Sequence, residues 1–161
     1  GLFSFIRDAY DENAHQVAIS YDPHDGYPFE GSVDYVEMIV DEEKGFEIRN
    51  LMKLESDENG TWLIGRLPIN GISLQVTKSI PALVNITVQG YLSDSCALFH
   101  QIKQRREENL VVVEITTRRP KDAFCAQVIT EITKNIRLEG NFSIGQNYKL
   151  IVNGVEKRFD L

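Results

Sequence analysis

Three stretches decide the fold: "LVNITVQGYL" (83–92), "ALFHQIKQRR" (97–106) and "NLVVVEITTRR" (109–119). Each is short, rich in β-branched or aromatic residues, and set off by Pro, Asn, Asp or Ser, as strands are. Working outward, the same texture recurs in "ISLQVTKS" (72–79), "KNIRLEG" (134–140), "QNYKLIVNG" (146–154) and "VEKRFDL" (155–161). Seven such runs with no helical period between most of them predict an antiparallel β-sandwich over 62–161. "VNGV" (152–155) carries the Asn-Gly pair that is the strongest short-range hairpin signal, and it should join the last two strands. The exception is "PKDAFCAQVITEI" (120–132), which suits one or two helical turns or an irregular crossover between the sheets.

The first third of the chain has a different texture. Leu2, Phe5, Ile6, Ala9 and Tyr10 recur at helical spacing over 2–14, which predicts an amphipathic helix. "QVAISYD" (16–22) and "GSVDYVEM" (31–38) alternate as strands around the turn "PHDGYP" (23–28). "GFEIRNLMKLE" (45–55) supplies a third strand with a register shift near Asn50. "SDENGT" (56–61) is the most polar, turn-rich segment and the best candidate boundary. The expected architecture is therefore mainly β, α+β overall. A helix and short antiparallel hairpin sheet over 1–56 would precede the sandwich over 62–161.

Composition narrows the function. The chain has 161 residues, 42% hydrophobic and 25% charged, with a formal charge of −7. That balance suits a folded protein and argues against nucleic acid, whose phosphates need a basic footprint. The densest basic run, "KQRREE" (103–108), ends in two acids and reads as a solvated strand or turn. No apolar run approaches the length needed to span a membrane. The opening "GLFSFIRDAY" lacks a charged leader followed by an apolar core, so a signal or lipid anchor is expected outside these residues. Cys96 and Cys125 are the only cysteines, too far apart for a CxxC motif and too few for zinc without histidine help. On their own they fit either a chance pair of buried thiols or a disulfide.

Longer motifs carry a resemblance. "VQGYLSDSC" holds Gly90, Leu92, Asp94 and Cys96; "RPKDAFCAQ" holds Arg119, Pro120, Asp122, Ala123, Cys125, Ala126 and Gln127. "YKLIVNGV" adds Tyr148, Val152, Asn153, Gly154 and Val155. This half of the chain resembles an Ig-like module of uncharacterised secreted or lipid-anchored bacterial proteins. The opening 55 residues are similar to part of a small domain of unknown function from the same class, through Tyr21, Asp22, Pro23, Gly26, Tyr27, Pro28 and Asp41 to Glu43. The resemblance implies a Cys96–Cys125 disulfide and hence an oxidising, extracytoplasmic compartment: periplasm, cell surface or secreted. It brings no known activity.

The acid-rich stretch 21–46 is the first candidate site. Side chains alternate across a strand, so Glu30, Asp34, Glu37, Asp41, Glu42 and Glu43 cannot all converge. Asp22 and Asp25 flank a Pro/Gly turn, where Asp commonly bonds its own backbone. The calcium-loop pattern is not met, which leaves at most a weak calcium site or a catalytic carboxylate pair as alternatives to solvated acids. Tyr21, Asp22, Asp25, Tyr27 and Phe29 form the expected binding surface, because exposed aromatics are enriched where proteins bind. His15, His24 and His100 are scattered, and no nucleophile, phosphate-loop, zinc or dinucleotide motif occurs. No catalytic residue, metal or cofactor is expected. The leading expectation is a non-enzymatic extracytoplasmic protein that binds another envelope or extracellular protein, or a small ligand. The alternatives are a protease inhibitor presenting the sandwich loops 91–97, 119–126 and 139–147, and a small hydrolase built on the acidic hairpin.

Overall fold

The computed structural model describes residues 10–11, 16–17, 34–41, 43 and 45–161. Every regular element among them is a strand: β1 (Tyr10–Asp11), β2 (Gln16–Val17), β3 (Tyr35–Asp41), β4 (Gly45–Asp57), β5 (Gly60–Arg66), β6 (Ile69–Val76), β7 (Val84–Leu92), β8 (Leu98–Glu107), β9 (Leu110–Pro120), β10 (Thr130–Arg137), β11 (Asn147–Val152) and β12 (Val155–Asp160). All seven runs expected over 72–161 are strands. Of the helix expected over 2–14, only Tyr10 and Asp11 are described, and they pair antiparallel with Val17 and Gln16. The rest of that helix and the turn 23–28 lie outside the described residues.

The larger sheet runs β12-β11-β9-β5-β4-β3, with β8 also paired to β9. Strand β9 organises it. Its residues Leu110–Arg118 lie against β8 along one edge, from Leu98↔Arg118 to Glu107↔Leu110. Its other edge is divided: Leu110–Val113 pair in parallel with Lys149–Val152 of β11, and Thr116–Pro120 pair antiparallel with Trp62–Arg66 of β5. The segment 56–61, expected as a boundary, is the turn of a hairpin in which Lys53–Asp57 of β4 pair with Gly60–Ile64 of β5. The register shift expected near Asn50 is present. Glu37 faces Asn50 and Met38 faces Ile48, so β4 carries one extra residue there.

The second sheet is β10-β7-β6, fully antiparallel. Alternation along β7 turns Val84, Ile86 and Val88 inward, all completely buried. They meet Val111, Val113 and Ile115 of β9 and Tyr148, Leu150 and Val152 of β11 in one core. Each fully buried aliphatic contributes about 1.5–3 kcal/mol relative to exposure. Strand β8 reaches the same core through Phe99 and Ile102, three apart and so on opposite faces of a regular strand. A bulge between Phe99 and Gln101 absorbs His100 and restores both to one face. The sides of the sandwich are tied by single side chains. Lys157 Nζ of β12 donates to the Ile72 carbonyl of β6 at 2.7 Å, and Gln104 Nε2 of β8 donates to the Arg137 carbonyl at 2.8 Å.

From β7 onward each strand crosses the sandwich once, so successive loops alternate between its two ends. The loops 93–97 and 121–129 share one end with the 153–154 turn. The loop 138–146 lies at the other, because Arg137 pairs with Asn85 whereas Thr130 pairs with Leu92. The three loops expected to act together as a wedge therefore do not converge. Only 91–97 and 119–126 do.

Candidate functional site

The site is the end of the sandwich where β7 and β9 run out. The inward alternation of β7 continues past its core residues through Gly90, Leu92, Asp94 and Cys96, each with a separate task. A Cβ on Gly90 would lie 2.5 Å from the Pro68 carbonyl oxygen, so glycine lets the β5–β6 connection cross β7 closely. Leu92 packs on the core. Asp94 is 6% exposed, and its charge is satisfied on both oxygens. Oδ1 accepts from the N–H groups of Cys96 and Ala97, each at 2.9 Å, and Oδ2 accepts from Arg119 Nη1 at 2.9 Å. A buried carboxylate is tolerated when paired and hydrogen-bonded in this way.

Asp94 thereby sets the position of Cys96, which is disulfide-bonded to Cys125 with their Cα atoms 5.5 Å apart. The crossover after β9 is fixed at three further points. Lys121 N–H donates to the Thr61 carbonyl at 3.0 Å, Ala126 N–H to Ser95 Oγ at 2.8 Å, and Ser95 N–H to the Ala126 carbonyl at 3.0 Å. Residues 121–122 form a turn, and 123–129 have no regular structure before β10 starts at Thr130. The irregular crossover, rather than helical turns, is what forms. On this braced loop Phe124 is 107% exposed, Ile129 67% and Val128 54%. Beside it lies a polar recess of about 720 Å³ that reaches from Arg66 and Tyr91 past Asp94 and Arg119 to Gln127 and Ile129.

The floor of the recess is sealed by Asn153. Strand β11 leaves the edge of β9 after Val113, and β5 joins it only at Thr116. The Asn153 side chain fills the gap, accepting from Ile115 N–H at 2.9 Å and donating to the carbonyls of Ile115 and Leu67 at 2.8 Å each. The expected Asn-Gly hairpin is present, with φ of +46° at Asn153 and +81° at Gly154, the pair of left-handed residues that a type I′ turn needs.

The binding surface expected at Tyr21, Asp22, Asp25, Tyr27 and Phe29 lies outside the described residues. Of the acids whose side chains are described, Asp34 accepts from Leu54 N–H at 2.9 Å, while Glu37 borders the recess and Glu43 lies in the β3–β4 turn. These three do not form a cluster. His100 approaches one acid, Glu55, at 3.9 Å. One triad of metal-type donors gathers among the described residues, Asp94 with Cys96 and Cys125, and the disulfide takes both thiolates from it. The basic run 103–108 does more than face solvent. Arg106 donates to the carbonyls of Glu139 and Asn141 at 3.3 and 2.9 Å and lies over the Phe142 ring at 4.3 Å. Two features of the site escaped the sequence reading, the exposed Phe124 and the buried side chain of Asn153. The period-two run Gly90, Leu92, Asp94, Cys96, read from the sequence only as a family motif, is the signal that could have led to this end.

Comparison with known proteins places the two halves of the chain separately. Residues 86–161 match the model of the ORF11 beta-sandwich domain, and residues 1–53 match a family of unknown function (DUF6174). An uncharacterized 10.2 kDa protein in the HgiCIIM 5′ region of Herpetosiphon aurantiacus is 37% identical over 93 residues, covering 58% of this chain and 98% of that protein. Its counterpart in the HgiBIM 5′ region of the same organism is 37% identical over 83 residues, covering 52% of this chain and all of that protein. No solved structure matches the chain.

Proposed function

The chain belongs to a family of uncharacterised proteins with a β-sandwich domain, and from that premise we propose that it is a non-enzymatic, extracytoplasmic binding module. The observation that carries this reading is the loop 121–129, which holds Phe124, Val128 and Ile129 in solvent on a backbone fixed by a disulfide and by hydrogen bonds to Ser95 and Thr61. Exposing three large apolar side chains on one short loop is costly, and exposed apolar surface of this kind usually marks an interaction site. Fixing the loop beforehand lowers the entropy lost on binding. The disulfide supports an oxidising compartment, as a secreted or lipid-anchored Ig-like module would occupy. No helix among the described residues is long and apolar enough to cross a membrane.

The test is capture from an extracytoplasmic extract by the oxidised protein, compared with a Phe124→Ser/Ile129→Ser variant. Retention of a protein partner by the wild type alone, with equal unfolding temperatures for the two, is the expected result. Equal capture by both, or free thiols in the protein isolated from its native host, overturns the reading.

A further inference from the structure

The shape of the braced loop points to a particular class of partner. Phe124 is the one aromatic ring on the braced loop and is fully exposed, so its complement is a pocket that accepts an aromatic ring. The backbone around it is as distinctive as the ring. Ala123, Phe124 and Cys125 donate no backbone hydrogen bond among the described residues, while the chain on both sides is fixed through Lys121 and Ala126. Their N–H groups are thus open to a partner's acceptors, while the carbonyls of Ala123 and Phe124 lie 3.5 and 3.6 Å from the Cys125 and Cys96 sulfurs. The disulfide lies at the residue immediately after Phe124. Its other half, Cys96, is itself positioned by Asp94, which in turn is held by Arg119 only two residues before Lys121. The support therefore reaches the loop from both of its ends.

We infer that residues 122–127 form a substrate-like inhibitory loop for a serine peptidase with an apolar, aromatic-accepting primary pocket, and that Phe124 fills that pocket. This rests on the reading of the chain as a binding module and names the chemistry of its partner. An exposed irregular loop invites cleavage, and the brace is what converts a substrate into an inhibitor. Attack of the peptidase serine on the Phe124 carbonyl forms an acyl ester and breaks the bond to Cys125, whose nitrogen receives the serine's proton. The disulfide and the Ser95–Ala126 hydrogen bonds hold the new amine beside the ester. It re-attacks the carbonyl carbon, returns its proton and expels the serine. Keeping the amine in place gives it a high effective concentration, so religation outruns hydrolysis.

The experiment uses the full oxidised chain against chymotrypsin, trypsin and an elastase, each with a small chromogenic substrate. Competitive inhibition of chymotrypsin is expected, and Phe124→Lys should shift inhibition to trypsin with a loss against chymotrypsin of roughly 100-fold or more, the scale of losing a central anchor. Because the Phe124 side chain is fully exposed, both proteins should unfold at the same temperature. After reduction and alkylation, the 124–125 bond should be cut at least about 10-fold faster, since the amine can then leave. Absence of inhibition at about 10 μM, a level that detects micromolar binding, overturns the inference, as does equal cleavage of oxidised and reduced chains. If Phe124→Ser abolishes capture of a partner while no peptidase is inhibited, the binding module stands and its peptidase chemistry fails. If the variant alters neither assay, both fail.

Discussion

A single amide, that of Asn153, joins three segments of chain, the edge of β9, the β5–β6 connection and the last hairpin. Its removal strands the Ile115 N–H and the Leu67 carbonyl in a buried place, while the Ile115 carbonyl keeps the Leu67 N–H at 2.8 Å. Asn153→Ala should cost about 1–3 kcal/mol for each group left unsatisfied, read as a lower urea midpoint. Asn153→Asp is the sharper probe. A carboxyl there faces two carbonyl oxygens, which disfavours its charged form and raises its pKa in the folded state above the unfolded one. The stability of that variant should be greatest below the unfolded carboxyl pKa of about 4 and fall as pH rises through it. Asn153→Ala serves as the control that shows no such added slope. Gly90 is a second decisive residue. A methyl group meets the Pro68 carbonyl oxygen at 2.5 Å, so Gly90→Ala should destabilise by roughly 1–3 kcal/mol, the usual scale of overpacking.

At the scale of elements, the β4–β5 hairpin has an electrostatic signature at its tip. Trp62 Nε1 makes no hydrogen bond of normal length, yet its indole N–H is the largest influence holding the Asp57 carboxyl below the ordinary 3.8, followed by the Asn59 N–H. Asn59 N–H donates to Asp57 Oδ1 at 2.8 Å, and Arg118, stacked 4.4 Å from the Trp62 ring centroid, comes within 3.7 Å of Asp57. A carboxylate with a lowered folded pKa stabilises above its unfolded pKa, and that contribution disappears as pH falls through the folded value. An NMR titration of Asp57 should therefore give a midpoint below 3.8, rising towards it in Trp62→Phe. The bulge at His100 is the element-scale feature that no residue pattern announced. Spacing alone puts Phe99 and Ile102 on opposite faces, and only the pairing with β9 shows that both enter the core.

For the whole molecule, the disulfide is the largest single constraint on the unfolded chain. Closing a loop with a sequence separation of 29 is worth about 3–4 kcal/mol in the loop-entropy account. Reduction should lower the unfolding temperature by roughly 10 °C, and intact mass under denaturing conditions should show two alkylatable thiols only after reductant. Much of this architecture was legible in the sequence. Period-two runs marked β6 to β12, because one face of each is buried and the other wet. Strand β5 was not marked, since Trp62, Leu63 and Ile64 form a continuous apolar run between Gly60 and Gly65 and show no alternation. The candidate binding end was half legible. The motifs led to Cys96 and Cys125, but an exposed Phe124 and a buried one look alike until the crossover is built. The parity of strands, which puts 139–147 at the opposite end from 93–97, was available from counting alone.

The divided edge of β9 also has a consequence for how the protein is made. Half of that edge is completed by β11, the second-last strand, and the junction is closed by Asn153. Until residues 147–153 have been synthesised, Leu110–Val113 have no partner on that side and the core lacks Tyr148, Leu150 and Val152. The sandwich of a nascent chain therefore remains loose until the β11–β12 hairpin emerges, and folds in one late step. Polypeptides stalled on the ribosome before Asn153 should be digested rapidly by added protease, and those that expose residue 160 should resist it.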